Sequence, residues 1–254
     1  MKKILTIALL LIAINAQGQG LPVPANATLA SLFPDPRLMV LMFNTLGPDA
    51  NLTGQALSDR LARIERLNAR QENINNATGI EYMLGLETLD LHWNNLTNLT
   101  NLTNLTNLTN LTNLTNLTNL PNLTNLTNLI RLDVSNNNLT TIDISGNIKL
   151  VWLNVGNNQL TEFDVSNNIN LTTLFVGNNP IITLDISKLI DLEWLFINDT
   201  LIATLDIRNN PKLSTLIRRG SYLNNNNIEG YRGGIGHAME GEIDWIRPGS
   251  WAGR

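Results

Sequence analysis

A chain of 254 residues that is 43% apolar and 15% charged is too apolar for a disordered polymer, and long enough for one elongated domain or two small ones. A net charge of −4 and a pI near 5.2 exclude a general nucleic-acid binder, which needs a basic face. The absence of cysteine excludes disulfides, thiolate zinc sites and cysteine nucleophiles.

The first segment reads as an export signal. Met1, Lys2 and Lys3 make a basic start, Ile4 to Ile14 an apolar core of eleven residues, and Ala16, Gln17 and Gly18 a small-residue cleavage region. Eleven residues at ~1.5 Å each span about half of a bilayer core, so residues 1–18 predict export and not anchoring. No later stretch is long and apolar enough to span a membrane, and no cysteine follows the signal to carry a lipid. Residues 31–63 predict a small helical cap. Asp35 is placed as N-cap, Pro36 as the first helical residue and Gly47 as the stop, with a second short helix near Gln55 to Leu61.

Repeats come next, over residues 64–216. Four units of 21 residues begin at Leu129, Leu150, Leu171 and Leu192, with a partial fifth at Leu213. Their frame, L-x-x-L-x-[VIL]-x-x-N-x-[LI], is the leucine-rich repeat signature. Upstream, IERLNARQENI and LETLDLHWNNL fit the same frame from Ile64 and Leu86. The frame predicts an α/β repeat fold: a curved solenoid of roughly seven turns, with parallel β-strands on the concave face. Positions 1, 4 and 6 point into the core and positions 3, 5 and 7 outward. One unit cannot bury its apolar face alone, so stacked neighbours complete the core. Together with the block from Phe33 through GIEYMLGLETLDL, these repeats resemble the cap and first repeats of bacterial internalin-like leucine-rich repeat proteins, over about residues 31 to 216. The resemblance implies that the position-9 residues Asn94, Asn137, Asn158 and Asn179 form a ladder bonding backbone groups at the strand exits. Thr200 takes that place in the fourth full unit, where looser geometry is expected.

Between Leu86 and Leu129 the sequence nearly loses its information. Residues 95–130 are twelve triplets, ten of them Asn-Leu-Thr. The 43 residues from Leu86 to Leu129 equal one unit of 21 and one of 22, so the run occupies whole turns. The resemblance implies a native NLTNL junction, amplified in the gene. A unit starting at Leu108 puts Leu111 correctly at position 4, but puts Asn113 at position 6 and Thr118 at position 11. A leucine at every third residue matches neither the strand period of 2 nor the helix period of 3.6. Weakened solenoid turns are therefore expected there, with a bulged loop as the alternative. Each triplet is also an N-glycan acceptor, but ten at this spacing cannot all carry glycans, and no functional glycosylation is expected.

The outward strand positions carry the candidate site. Position 3 holds Arg131, Trp152 and Trp194; position 5 holds Asp133, Asn154, Phe175 and Phe196. Adjacent strands lie ~4.8 Å apart, so Trp152, Phe175, Trp194 and Phe196 form one aromatic patch, with Asn154 inside it and Arg131 and Asp133 at its border. Exposed apolar clusters of this kind mark contact sites, unless a later segment folds over them. Asp143, Asp164, Asp185 and Asp206 form a column at position 15 that is read as solvent-facing turn caps, with no metal expected. No catalytic motif is present, and His92 and His237 suggest no proton relay, so neither an enzyme nor a cofactor is expected. Residues 217–254 break the repeat and form an irregular tail or cap without a recognisable wall-sorting signal.

These readings predict a secreted or cell-surface recognition protein, monomeric and without a membrane span. Its partner would be an extracellular protein bound on the concave face; the resemblance adds surface adhesion or host-protein binding. The alternatives are a self-associating envelope scaffold and a carbohydrate-binding module that uses the same aromatics.

Overall fold

The computed structural model describes residues 21–230 apart from 92, 97, 98, 113–116 and 118–122. The signal region and the segment 231–254 lie outside the described residues, as do both histidines.

Among the described residues, three α-helices come first: α1 Leu29–Leu32, α2 Pro36–Leu46 and α3 Gly54–Leu61. Asp35 starts α2 because its Oδ1 accepts from the Arg37 and Leu38 N–H groups, while Pro36 has no N–H to lose at that position. Its other oxygen accepts from the Asn75 and Asn76 N–H groups, so one buried carboxylate joins the cap to the first repeat. Burial pushes the Asp35 carboxyl up, but the four N–H donors outweigh it and hold it below the usual carboxylate range. Leu38, Met42 and Leu46 pack inward from α2, and Gly47 ends it at φ +56.

The remainder is one parallel sheet wound as a solenoid. Strands β1 Arg66–Asn68, β2 Thr88–Asp90, β3 Asn110–Thr112, β4 Arg131–Asp133, β5 Trp152–Asn154, β6 Thr173–Phe175, β7 Trp194–Phe196 and β9 Thr215–Ile217 pair in chain order. β8 Leu205–Asp206 pairs separately with β10 Ile228–Glu229. Each concave strand is three residues long, and its central leucine, from Leu67 through Leu216, is at most 2% exposed. Burying one such side chain contributes about 1.5–3 kcal/mol, and it does so only against the leucines of the turns before and after.

The triplet run is part of this solenoid. β3 lies within it, with Leu111 in register with Leu89 on one side and Leu132 on the other. The unit of 22 therefore comes first and the unit of 21 second. Every described leucine of the run is at most 2% exposed. The comparison of the three-residue spacing with the periods 2 and 3.6 alone is corrected here, because tight turns have about three residues per turn. The N–H groups of Leu105, Leu108, Leu126 and Leu129 donate to the carbonyls of Leu102, Leu105, Leu123 and Leu126, three residues back in each case. Ordinary units already do this. In the turn before β5, Asn147 N–H donates to the Ile144 carbonyl and Leu150 N–H to the Asn147 carbonyl. About a third of such a unit, Ile144 to Leu150 in this one, is thus period three, and the triplets extend that part.

A second correction concerns position 11. Leu117, and not Thr118, takes the place that Leu139 and Leu160 hold in later turns: its N–H donates to Asn137 Oδ1 and its carbonyl accepts from Asn138. Sliding by one residue buries a leucine completely and spares the core a hydroxyl.

Residues 218–230 cover the last turn. The Arg218 guanidinium donates to the Leu223 carbonyl and to Asn225 Oδ1, and Leu223 and Ile228 are buried. Arg208 pairs with both Asp206 and Glu229, across the β8–β10 pair.

Candidate protein-interaction surface

The strand exits are organised by paired asparagines. The first of each pair, Asn136, Asn157 or Asn178, sits at φ 55 to 59, a left-handed conformation that asparagine tolerates better than most residues. The second is the buried ladder residue. Asn158 Oδ1 accepts from Leu139 N–H, and its Nδ2 donates to the carbonyls of Val134, Val155 and Gly156. Asn179 repeats this one turn later with Leu160, Val155, Val176 and Gly177. Asn94 bonds Ile74, Ala69 and Leu91, and Asn137 bonds Leu117, Val134 and Ser135. Thr200 keeps one bond, from its hydroxyl to the Ile197 carbonyl at 2.8 Å, while remaining buried. Sequence reasoning missed a second ladder on the return side. Asn147, Asn168 and Asn210 each donate to two carbonyls of the preceding turn. Their recurrence near the end of three of the four units, with Leu189 in the other, was the available signal.

This scaffold fixes the concave side chains. Arg131 faces Trp152, Trp152 faces Thr173, and Thr173 faces Trp194 across successive strands; Asn154, Phe175 and Phe196 form the neighbouring column. The Arg131 guanidinium carbon sits 3.7 Å from the Trp152 ring centroid, a cation–π contact. Trp152 and Phe175 are 5.4 Å apart and tilted by 50°, while Phe175 and Phe196 are 4.0 Å apart and nearly parallel at 13°. The two phenylalanines therefore turn faces toward each other and edges outward. Trp194 differs from the rest. It is 38% exposed, and among the described residues it stacks on no other ring.

Asp133 at the border and Asn154 inside the patch do not stand open. Asp133 is only 4% exposed, so its expected place at an open border is corrected: its Oδ1 accepts from the Ser135 hydroxyl and N–H. Burial pushes its carboxyl above the ordinary value, and the Ser135 bonds and Arg131 oppose that without cancelling it. Asn154 turns its Oδ1 back to the Gly156 N–H. Burial lowers the Arg131 guanidinium, against the pull of Asp133.

Elsewhere, Asp143, Asp164, Asp185 and Asp206 each accept from the N–H two residues on; the side chains of Ser145, Ser187 and Arg208, followed by those N–H groups, hold Asp143, Asp185 and Asp206 below the usual value, and for Asp164 the Ser166 N–H leads. Among the described residues no three metal-ligating side chains converge, and no helix is long and apolar enough to cross a membrane. An open cavity of about 610 Å³ lies along the flank that leads into β1–β5, lined by Glu65, Glu87, Asn128 and Lys149, away from the aromatic patch.

No protein-family model and no characterised sequence matches the chain. Solved structures do. The functional domain of InlJ from Listeria monocytogenes matches at 27% identity and a TM-score of 0.58, over 78% of this chain and 53% of that one. Internalin C2 from the same species matches at 25% identity and a TM-score of 0.57, over 80% of this chain and 98% of that one. The chain is an internalin-like leucine-rich repeat protein. It spans about half the length of the InlJ domain, which is described as including a cysteine ladder; the internalin-like chain has no cysteine and stacks asparagines. The leucine-rich repeat ectodomain of the Arabidopsis thaliana receptor kinase GASSHO1/SCHENGEN3, solved in complex with CASPARIAN STRIP INTEGRITY FACTOR 2, matches over 56% of this chain and 19% of that one, at 26% identity and a TM-score of 0.50.

Proposed function

We propose that the internalin-like chain is an exported, non-catalytic recognition protein that binds a protein partner on its concave face, with Trp194 as the central anchor. The observation that carries this reading is the exposure of Trp194 beside a rigid row of rings. A large apolar side chain held ready on a pre-formed surface gains contact area at small entropic cost, which is why tryptophan dominates interface hot spots. The plant leucine-rich repeat ectodomain solved in complex with CASPARIAN STRIP INTEGRITY FACTOR 2 supports the reading. The ring geometry favours a protein over a sugar. Sugar rings need an open aromatic face, whereas Phe175 and Phe196 present edges and Arg131 covers a face of Trp152.

The test is binding of the full chain to a panel of extracellular proteins and glycans, beside Trp194→Ala alone and beside the fourfold alanine variant of Trp152, Phe175, Trp194 and Phe196. Loss of a hot-spot tryptophan costs about 2 kcal/mol or more, close to thirtyfold in Kd. The expected result is one protein partner, weakened at least tenfold by Trp194→Ala with circular dichroism unchanged. Equal binding by all three proteins would remove the concave face from consideration.

A further inference from the structure

The concave face carries charge of the opposite sign to the chain. Among its described outward residues, Arg66, Arg70, Arg131 and Arg219 stand against Asp90 and the buried Asp133, in a chain of net charge −4. Two of these arginines bracket the aromatic row. Arg131 lies on β4, one strand before Trp152, and Arg219 lies two residues beyond Ile217 of β9, one strand after Phe196. The row itself runs obliquely, from position 3 at Trp152 to position 5 at Phe175 and Phe196, so Arg131 and Arg219 are its two ends.

Both guanidiniums keep their donors open. Among the described residues neither forms an ion pair. Arg131 has its guanidinium carbon over the Trp152 ring, and the carboxylate nearest to it in sequence, Asp133, attracts it without forming an ion pair while its Oδ1 accepts from Ser135. Arg219 is exposed. Arg218, its neighbour, is by contrast consumed by the Leu223 carbonyl and Asn225. A guanidinium oriented in advance and free of an internal acceptor is suited to a carboxylate, which it can grip through two N–H groups.

We propose that the partner segment bound here is an extended acidic peptide: an apolar centre seated on Trp194 and the ring edges, with a carboxylate at each end for Arg131 and Arg219. The proposal rests on the concave-recognition reading above and adds the partner's chemistry and length. From β4 to β9 there are four steps between adjacent strands of ~4.8 Å, and from position 3 to position 7 four residues of ~3.3 Å rise. The two ends therefore lie roughly 23 Å apart, the reach of about seven extended residues. Opposite charge on the partner would also speed its encounter with this face, an effect that weakens as salt rises.

The experiment uses the full chain and a bead-displayed library of random decapeptides at low and high salt, followed by affinities of selected peptides for wild type, Arg131→Gln, Arg219→Gln and Trp194→Ala. The expected pool is enriched in carboxylate pairs six to eight residues apart around an apolar centre. The best such peptide is expected to weaken at least tenfold in Arg219→Gln, and about as much when its own carboxylates become amides. Arg219 makes no side-chain contact whose loss would disturb the fold, so that variant keeps the test clean if Arg131→Gln unsettles the Trp152 stack. Apolar peptides selected without any preference for carboxylates, yet lost in Trp194→Ala, would overturn the acidic partner and leave concave recognition standing. If no peptide is retained, while glycan binding or self-association depends on Trp194, both readings fall.

Discussion

The turn that carries β3 and the turn that carries β5 bury their strand leucines equally well, yet they set their register differently. In the regular turn, Leu153, Val155, Asn158, Leu160 and Val165 occupy inward positions, a mixture of leucine, valine and asparagine in which no two neighbours are alike. In the triplet turn the buried positions among the described residues are leucine, including Leu108, Leu111, Leu117, Leu123 and Leu126. From strand leucine to position 11 is seven residues in the regular turn, Leu153 to Leu160, but six in the triplet turn, Leu111 to Leu117. A residue is regained before Leu123. A slip of three residues in the regular turn would bury a polar group or open a cavity. The same slip in the triplet turn replaces a leucine by a leucine. Leucines close the core in both; only the differences among inward residues say where along the chain it closes.

The widest separation between the two turns is expected on removing a leucine. Leu153→Ala should cost about 2–5 kcal/mol, the usual range for a cavity in a packed core. Leu123→Ala should cost less than half as much, because a neighbouring triplet can slide an identical side chain into the gap; urea unfolding of both variants decides. Equal losses would mean that the triplet register is as firmly held as the regular one. Amide exchange sharpens the same point: Leu117 and Leu126 should exchange at least tenfold faster than Leu160 and Leu171.

The ladder gives the next effect in size. Asn158→Ala leaves the Leu139 N–H and the Gly156 carbonyl without their side-chain partner and takes one donor each from the Val134 and Val155 carbonyls, which keep Asn137 and Asn179, a loss of about 2–3 kcal/mol. Thr200→Asn works in the other direction. An amide there reaches toward the Ile181 N–H and the Val176 carbonyl, the counterparts of the groups that Asn179 serves one turn earlier, and about 1 kcal/mol of added stability is expected on thermal unfolding. A drop in stability would show that the Thr200 turn has already relaxed around the hydroxyl.

The smallest effect is electrostatic. Because the Asp133 carboxyl is pushed up by burial, its charged form weighs against folding at neutral pH, and that cost disappears as pH falls through the raised folded value. Asp133→Asn keeps the acceptor for Ser135, as Asn154 does for Gly156, and loses the buried charge. The variant should match or exceed wild type by up to about 1 kcal/mol at pH 7, with the difference shrinking on acidification. A widening difference at low pH would reverse the assignment.

Much of this molecule was open to reading in order along the chain. The strand leucines, Asp35 and Pro36 at the start of α2, and the position-9 asparagines all announce themselves through local patterns, because a residue's own backbone state and its neighbours a few places away suffice to explain them. The doubled asparagines are only half legible: the pair is visible, but that one residue takes the left-handed backbone and the other the ladder is a property of the exit turn. The candidate patch could be placed on one face from the alternation of strand positions. Three things needed the turns to be stacked: the one-residue slide that buries Leu117, the closure of Ser135 over Asp133, and the face-to-face packing that leaves Trp194 apart from Phe175 and Phe196. The slide and the ring packing depend on which side chain lies one turn away, about 21 residues along the chain, and Asp133 is buried within the same stack although Ser135 lies only two residues on. Period and polarity specify that such a neighbour exists; whether a carboxylate is covered or a ring face is free is settled only when the two surfaces meet.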